Sequence, residues 1–466
     1  MNFAELRFWE LLAGILAVVL GLRWLLQRLG KLPSEFDRYA LQSVGLTLLF
    51  AVGRTTFLIF LVVAVGTYFG LQWILRAHGR APRRYLLVLI PLQLAPLIYY
   101  KYADFAVNGV LAQQVDFLRH LVIPVGISFY TFQKVAFVLD TLALKQPLPR
   151  FLDYMNFAAF FPQIVAGPIE RRSDLLPQMQ TFRFRWNAAD LDAGAGWIAL
   201  GFFFKCCLAD NFAELFTVNS ATNAWLIWLN NVLFGLRIYY DFSGYSLIAL
   251  GLARCLGIRL TLNFASPYCS TSVTEFWRRW HVTLSQWFRD YVYLPLGGGR
   301  VAWWVANVLA VFLISGIWHG AGWNFVLWGA LHGVFLVINR LVGPRLPLPK
   351  ALGWLLTMSA VFLAWLCFYE TNLPHLMEKL GAIFTPGAYA PAQFRAAVLQ
   401  WSEPSGLVLA SFLALSALAL WAERRSLLHG GEPFSLFRKP LVLLILVILT
   451  VILAPGKSNG FIYFAF

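Results

Sequence analysis

Three stretches of this 466-residue sequence set ionisable side chains inside otherwise apolar runs, and each could do chemistry. The first is "TEFWRRWHVTLSQWFRDYVYLPLGGGR", residues 274–300. Read as one helix, it puts Trp277, His281, Leu284 and Phe288 at i, i+4, i+7 and i+11 on a single face, with Arg278, Arg279 and Arg289 away from that stripe. Such a segment could be a basic helix lying at the cytoplasmic surface with an aromatic face toward the protein. It could equally be the mouth for an anionic, phosphate-bearing donor, lined by His281, Arg278 and Arg279.

The second stretch, "ISGIWHGAGWNFVLWGALHGVF" (314–335), places His319 between two strongly apolar runs and flanks it with Gly316, Gly320 and Gly322. Small residues let helices approach closely and let a substrate reach an imidazole. In a soluble core a lone histidine is usually a hydrogen-bonded packing residue, whereas an ionisable group within a membrane is a functional candidate first. With an unperturbed pKa near ~6.5, histidine suits the removal of a proton from a nucleophilic hydroxyl. His332, thirteen residues further on, is a supporting candidate. His319 has no metal-ligand partner at i+3 or i+4, so the spacing supports no metal site.

The third stretch is "RIYYDFSGYSLIALGLARCLG" (237–257), where Asp241 sits among Tyr239, Tyr240, Phe242 and Tyr245. A carboxylate there must be paired, hydrated or protonated to avoid a heavy desolvation cost. It could orient a histidine, or it could tie helices together through an arginine.

The elements that hold these residues follow from composition. Charged residues make up 13% of the chain, roughly half the ~25% of an average soluble protein, and apolar types make up 59%. A soluble fold would have to hide several apolar runs of about 18 residues or more, which a bilayer accommodates directly. The sequence therefore predicts an all-α polytopic membrane protein. Clear spans fall at 8–22, 57–75, 85–100, 302–318, 321–340, 351–369, 404–422 and 438–454, with less regular apolar stretches between them. The expectation is 11 or 12 transmembrane helices with re-entrant and interfacial helices among them, in one integral-membrane domain over residues 1–466.

The formal charge of +15 first suggests nucleic acid, but in a membrane protein lysine and arginine collect in cytoplasmic loops. Four such loops, at 23–38, 76–84, 340–350 and 424–439, carry the cations, so no nucleic-acid partner is expected. Counting outward from them puts the N-terminus outside. It also sends the last span, 438–454, to the outer side with the segment "APGKSNGFIYFAF". The first apolar run lacks a small-residue cleavage site and reads as a retained span. Five cysteines without a CxxC pair give neither a disulfide framework nor a zinc site.

The motifs "PVGISFYTFQ" (124–133), "FFPQIVAGPIERR" (160–172), "YYDFSGYS" (239–246), "LNFASPY" (262–268), "TEFWRRWHVTLSQWFRDYVYLPLGG" (274–298) and "GIWHGAGWNFVLWGALHG" (316–333) occur in the order found in membrane-bound O-acyltransferases. The chain resembles that family, and within it the bacterial branch typified by alginate O-acetyltransferase subunit I. The likeness covers about 100–335 and the last six residues; 1–95 and 345–455 match in hydropathy alone. "FYETNL" (368–373) departs from the pattern of that branch.

The resemblance implies a multi-helical fold around a central funnel and tunnel, with His319 as the catalytic histidine and His281 toward the cytoplasmic side. It implies a cytoplasmic acyl donor, acetyl-CoA or an acyl carrier protein, and no permanently bound cofactor. It also implies a periplasmic SGNH-type acetyltransferase and an exported polysaccharide as partners, in the bacterial inner membrane. Tyr463, in "FIYFAF" (461–466), maps onto a tyrosine thought to relay the acyl group in a related system; it could equally be an interfacial aromatic anchor. A transporter or flippase without covalent chemistry is the competing class, and no inverted repeat supports it.

Overall fold

The computed structural model describes residues 3–78, 83–164, 167–216, 223–401, 404–457 and 459–462. Every regular element among them is a helix. Among the described residues, seven helices are long and apolar enough to cross a membrane: Leu6–Arg28, Arg54–Ala77, Arg83–Tyr102, Ala188–Leu215, Trp323–Val342, Lys350–Tyr369 and Ser405–His429. Two shorter apolar helices, Trp304–His319 and Pro440–Leu453, have 16 and 14 residues. Large apolar side chains such as Val18, Leu87 and Val451 point outward, as they do where lipid rather than water surrounds a helix. The protein is a multi-pass membrane protein.

Cα packing separates two compact units interleaved along the chain, Met1–Ile198 with Ile248–Thr261, and Ala199–Leu247 with Leu262–Phe466. In the first unit the "GISFYTFQ" motif forms the start of helix Ile127–Leu142, which is buried on nearly all sides. There Gln133 donates to the Phe157 carbonyl at 3.0 Å, and the Lys134 ammonium lies over the Phe60 and Tyr130 rings at 4.1 and 4.9 Å. Arg38 pairs with Asp153 at 2.6 Å. The motif "GPIERR" supplies Glu170, which accepts from Thr261 N–H at 2.6 Å and from its hydroxyl at 3.0 Å. These motifs therefore satisfy buried polar groups within their own unit.

The second unit contains all the described candidate site residues. Its basis is the hairpin Trp304–His319/Trp323–Val342. A Cβ on Gly316 would sit 2.3 Å from the Phe325 carbonyl oxygen, and one on Gly329 would sit 2.3 Å from that of Phe312. Only hydrogen fits at these two points, so the glycines set the helix separation. A 16-residue helix is about 24 Å long, shorter than the ~30 Å hydrocarbon layer. His319 is its last residue, so the imidazole stands at the end of a helix too short to cross that layer upright.

Adding one methyl at this contact tests the account. Gly316→Ala should cost about 1–3 kcal/mol, as overpacking does, and lower the thermal midpoint of the detergent-solubilised protein. Gly14→Ala, in helix Leu6–Arg28 with nothing within 4 Å, should leave the midpoint unchanged or slightly raised.

Candidate active site

The segment expected to be one amphipathic helix is two. Helix Val273–Arg279 ends at Trp280, which is extended, and helix Val282–Phe288 begins after His281, whose φ is +42°. The four-residue stripe from Trp277 to Phe288 is therefore broken at its histidine. The break is stabilised by the "LNFASPY" strand of chain beside it. Ala265 N–H donates to the Arg279 carbonyl at 2.9 Å, and Val282 N–H to the Asn263 carbonyl at 2.9 Å. Asn263 Oδ1 accepts from His281 Nδ1 at 3.1 Å, from Thr283 N–H at 3.3 Å and from the Thr283 hydroxyl at 3.0 Å. With the amide oxygen as acceptor, Nδ1 is the protonated ring nitrogen. A left-handed residue outside glycine is costly, and these bonds hold it in place. Asn263 lies within the motif "LNFASPY", and its role has no local signal because its partner lies 18 residues away across a loop.

Helix Val273–Arg279 is started by Ser272, whose hydroxyl accepts from Glu275 N–H at 3.1 Å. Glu275 accepts from Thr271 N–H and hydroxyl at 2.8 and 3.0 Å and pairs with Arg279 at 2.9 Å. Burial alone would raise its carboxyl; the Thr271 bonds and the Arg279 charge outweigh that and hold it below the usual range. Arg279 also donates to the Ala265 carbonyl at 3.0 Å, so its guanidinium is committed to the break.

His319 is 3% exposed and enclosed by rings: Trp328 at 4.8 Å, Trp318 at 4.9 Å and Phe368 at 5.3 Å between centroids. The turn "HGAGWN" explains the enclosure. A Cβ on Gly320 would meet the Phe325 ring at 2.0 Å, and Asn324 Nδ2 donates to the Cys367 carbonyl at 2.9 Å. That bond fixes the end of helix Lys350–Tyr369, where Phe368 lies. Phe368 belongs to the stretch that departs from the family pattern, and no local signal in the sequence pointed to it. Trp328 touches two imidazoles, that of His319 and that of His332, the latter at 4.7 Å. His332 is fully buried, and Trp277 packs on it at 4.9 Å. Trp318 links the two principal histidines, lying 6.2 Å from His281 and beside His319 in the chain.

A cavity of about 510 Å³ opens next to this cluster. Three guanidinium groups line it, from Arg278, Arg289 and Arg340, together with Tyr293, Ser285 and Gln286 and an apolar set that includes Trp277 and Phe312. Arg279, His281 and His319 do not line it. Val308, Val311, Phe312 and Ser315 face it from the hairpin, at i, i+3, i+4 and i+7. His319 continues that stripe one turn beyond Ser315, about 6 Å along the axis. Arg340 donates to the Tyr293 hydroxyl at 3.1 Å and lies over Trp304 at 4.3 Å. Its place among the orientation-setting cations hid this second role.

Asp241 is met by a lysine. Lys205 Nζ lies 2.6 Å from Asp241 Oδ1 and 2.7 Å from Asp210 Oδ1, and donates to the Asn459 carbonyl at 2.8 Å. Ile462 N–H donates to Asp241 Oδ2 at 2.7 Å. Neither a histidine nor an arginine takes the pairing position that the sequence left open. The neighbouring Tyr239 donates to Glu423 at 2.7 Å, and Tyr240 shares a hydrogen bond with the Ser416 hydroxyl at 2.9 Å. Phe461 stacks on Tyr245 at 4.4 Å and packs on Phe242 at 5.4 Å, and Phe242 packs on His281 at 4.8 Å. Phe242 therefore lies against both Phe461 and His281. Tyr463 itself lies outside the described residues.

The chain resembles known proteins over most of its length. The profile of the membrane-bound O-acyltransferase family matches residues 56–377. The protein named "probable alginate O-acetylase AlgI" of Pseudomonas aeruginosa is 35% identical over 427 residues, covering 87% of this chain and 79% of that one. The peptidoglycan O-acetyltransferase of Helicobacter pylori is 35% identical over 350 residues, 66% of each. The teichoic acid D-alanyltransferase of Streptococcus thermophilus is 29% identical over 337 residues, 64% of this chain and 75% of the relative.

The Asn263 junction can be tested alone. Asn263→Ala removes one oxygen that serves three donors. Leaving buried donors unmet costs ~1–3 kcal/mol each, so a clear fall in thermal midpoint is expected, with a larger relative loss of any activity that depends on the His281 orientation.

Proposed function

This chain belongs to the membrane-bound O-acyltransferase family, and from that premise we propose that it carries an acetyl group from cytoplasmic acetyl-CoA to an exported polysaccharide, alginate being the acceptor that fits its relatives best. It is a membrane acyltransferase. The observation that carries the reading is the single helix stripe Val308–Val311–Phe312–Ser315–His319, which leads from a cavity with three arginines to a buried imidazole.

Acetyl-CoA combines phosphates with a long, largely apolar arm and a thioester. Arg278, Arg289 and Arg340 suit the phosphates, and the apolar side of the cavity suits the arm. His319 then removes the proton of an acceptor hydroxyl. The hydroxyl oxygen attacks the thioester carbonyl carbon, the C–S bond breaks, and the departing thiolate recovers a proton. His281, oriented by Asn263, acts on the same path, and His332 supports His319 through Trp328. Tyr463 follows Ile462 in the chain and is the proposed hydroxyl that first takes the acetyl group. A periplasmic SGNH-type transferase would next pass it to the polymer. The four cationic loops support an inner-membrane orientation in which they face the cytoplasm and the last span runs outward to the periplasmic side. The Helicobacter relative makes peptidoglycan the second acceptor to test.

The central experiment supplies radiolabelled acetyl-CoA to proteoliposomes and counts label on the protein and on added polymer. His319→Ala should lower transfer about 10²–10⁴-fold, the usual worth of a general base, without changing insertion; Tyr463→Phe should abolish label on the protein. Full transfer by the His319 variant removes the proposed base.

The arginines give a separable prediction. Arg278→Ala, Arg289→Ala and Arg340→Ala should each raise the KM for acetyl-CoA roughly ten-fold, about the value of one charge-assisted bond. Arg279→Ala should lower the thermal midpoint instead and move that KM little, because its guanidinium holds Glu275 and Ala265.

A further inference from the structure

The cluster of Lys205, Asp210 and Asp241 is nearly inaccessible, at 1%, 1% and 2% exposure, and the proposed chemistry does not use it. Three ionisable groups in an apolar interior usually serve a partner, and here the partner is a piece of this chain. Of the groups that meet the cluster, three come from residues 459–462. The Asn459 carbonyl takes a hydrogen bond from Lys205 at 2.8 Å, Ile462 N–H gives one to Asp241 at 2.7 Å, and Asn459 Nδ2 reaches the Asp210 carbonyl at 3.4 Å. Between these anchors the Phe461 ring, 1% exposed, stacks on Tyr245.

The receptor is built for this segment. Residues Phe203–Ala209 form a π-helix, which resets the turn that aims Lys205. Gly244 lets that turn approach: a Cβ there would meet Lys205 N at 2.8 Å and Gly201 O at 2.8 Å. Asp241, Phe242 and Tyr245 share one stretch of helix Ala224–Cys255 and present the carboxylate and both rings. Two main-chain groups and one ring are thus captured together, which is how an extended peptide is recognised.

We propose that Lys205, Asp210 and Asp241 form an internal peptide receptor that holds residues 459–462 against the helix face carrying Phe242, and so position the residue that follows for acyl transfer. The positioning role rests on the acyltransferase reading above; the capture itself does not. Lys205, Asp210 and Asp241 are positioning residues and touch no substrate.

The test uses the full chain in detergent, with the native cysteines replaced and a single new one at Ile462→Cys or, as a control for global opening, at Leu233→Cys, both positions being buried. The readout is the rate of labelling by a polymer-linked maleimide, seen as a mobility shift. Lys205→Met should speed labelling at position 462 at least ten-fold and leave position 233 protected. The triple variant Lys205→Met, Asp210→Leu, Asp241→Leu leaves no buried charge unpaired within the cluster and removes the acceptor of the Ile462 N–H, so it should release position 462 in the same way. Unchanged labelling at 462 overturns the receptor, and so does an equal rise at both positions in every variant, since the cluster then holds the fold rather than the segment. Acetyl transfer by the same variants should fall more than ten-fold; release of the segment with full transfer overturns the positioning role alone. Loss of transfer in His319→Ala with normal protection at 462 leaves capture standing, so the two readings fail separately.

Discussion

A polar group taken into an apolar layer has to be met by another group of the protein, because no water is there to do it. The architecture of the second unit follows from how three such demands are answered. The carbonyls and amides exposed where a helix breaks at His281 are met by residues 263–265. The two carboxylates Asp210 and Asp241 are met by Lys205 and by backbone groups of the last described residues. The turn that follows His319 is met by Asn324, whose bond to Cys367 draws a third helix into place. Each answer also brings a new side chain toward the histidines, so satisfaction of polar groups and assembly of the site are one process.

Around these bonds the packing is aromatic and directional. Trp277, Trp318, Trp328 and Phe368 stand edge-on to one imidazole or another, an arrangement that suits the positive rim and negative face of the rings. Rings of this size have few rotamers and little room, which fixes the imidazoles to within a narrow range of orientations. The glycines at 316, 320 and 329 are the complement of that bulk: backbone contacts occur where the rings leave no space for a side chain.

Much of this was legible in the sequence, for physical reasons. Spans declare themselves by hydropathy, and the eight clear ones correspond to helices whose ends lie within a few residues of those expected, although Leu6–Arg28 and Ser405–Gly430 each run on by about two turns. His319, His281 and Asp241 were visible because a polar residue in an apolar run is conspicuous. What escaped was anything decided by contacts distant in sequence. The break at His281 depends on Asn263, the seat of His319 depends on Phe368, and the partner of Asp241 is Lys205, whose "FFFKCCLAD" context gives no hint of a carboxylate 36 residues on. Arg340 escaped for another reason: a rule that assigns basic loop residues to topology gives no credit to a cation that also lines a cavity.

The enclosure of His319 by rings has one more implication. A membrane that stores energy as a voltage has to resist every conducting path, and moving one charge through 100 mV is worth about 2.3 kcal/mol. Any membrane protein with polar groups in its interior therefore works under a second specification, that of an insulator. Trp318, Trp328 and Phe368 pack around one histidine, and Phe461 packs on Tyr245 and on Phe242, the ring that touches the other. An acyl group handed from atom to atom carries no net charge past such rings. Bulky rings around a buried imidazole serve that specification as well as holding the imidazole in place.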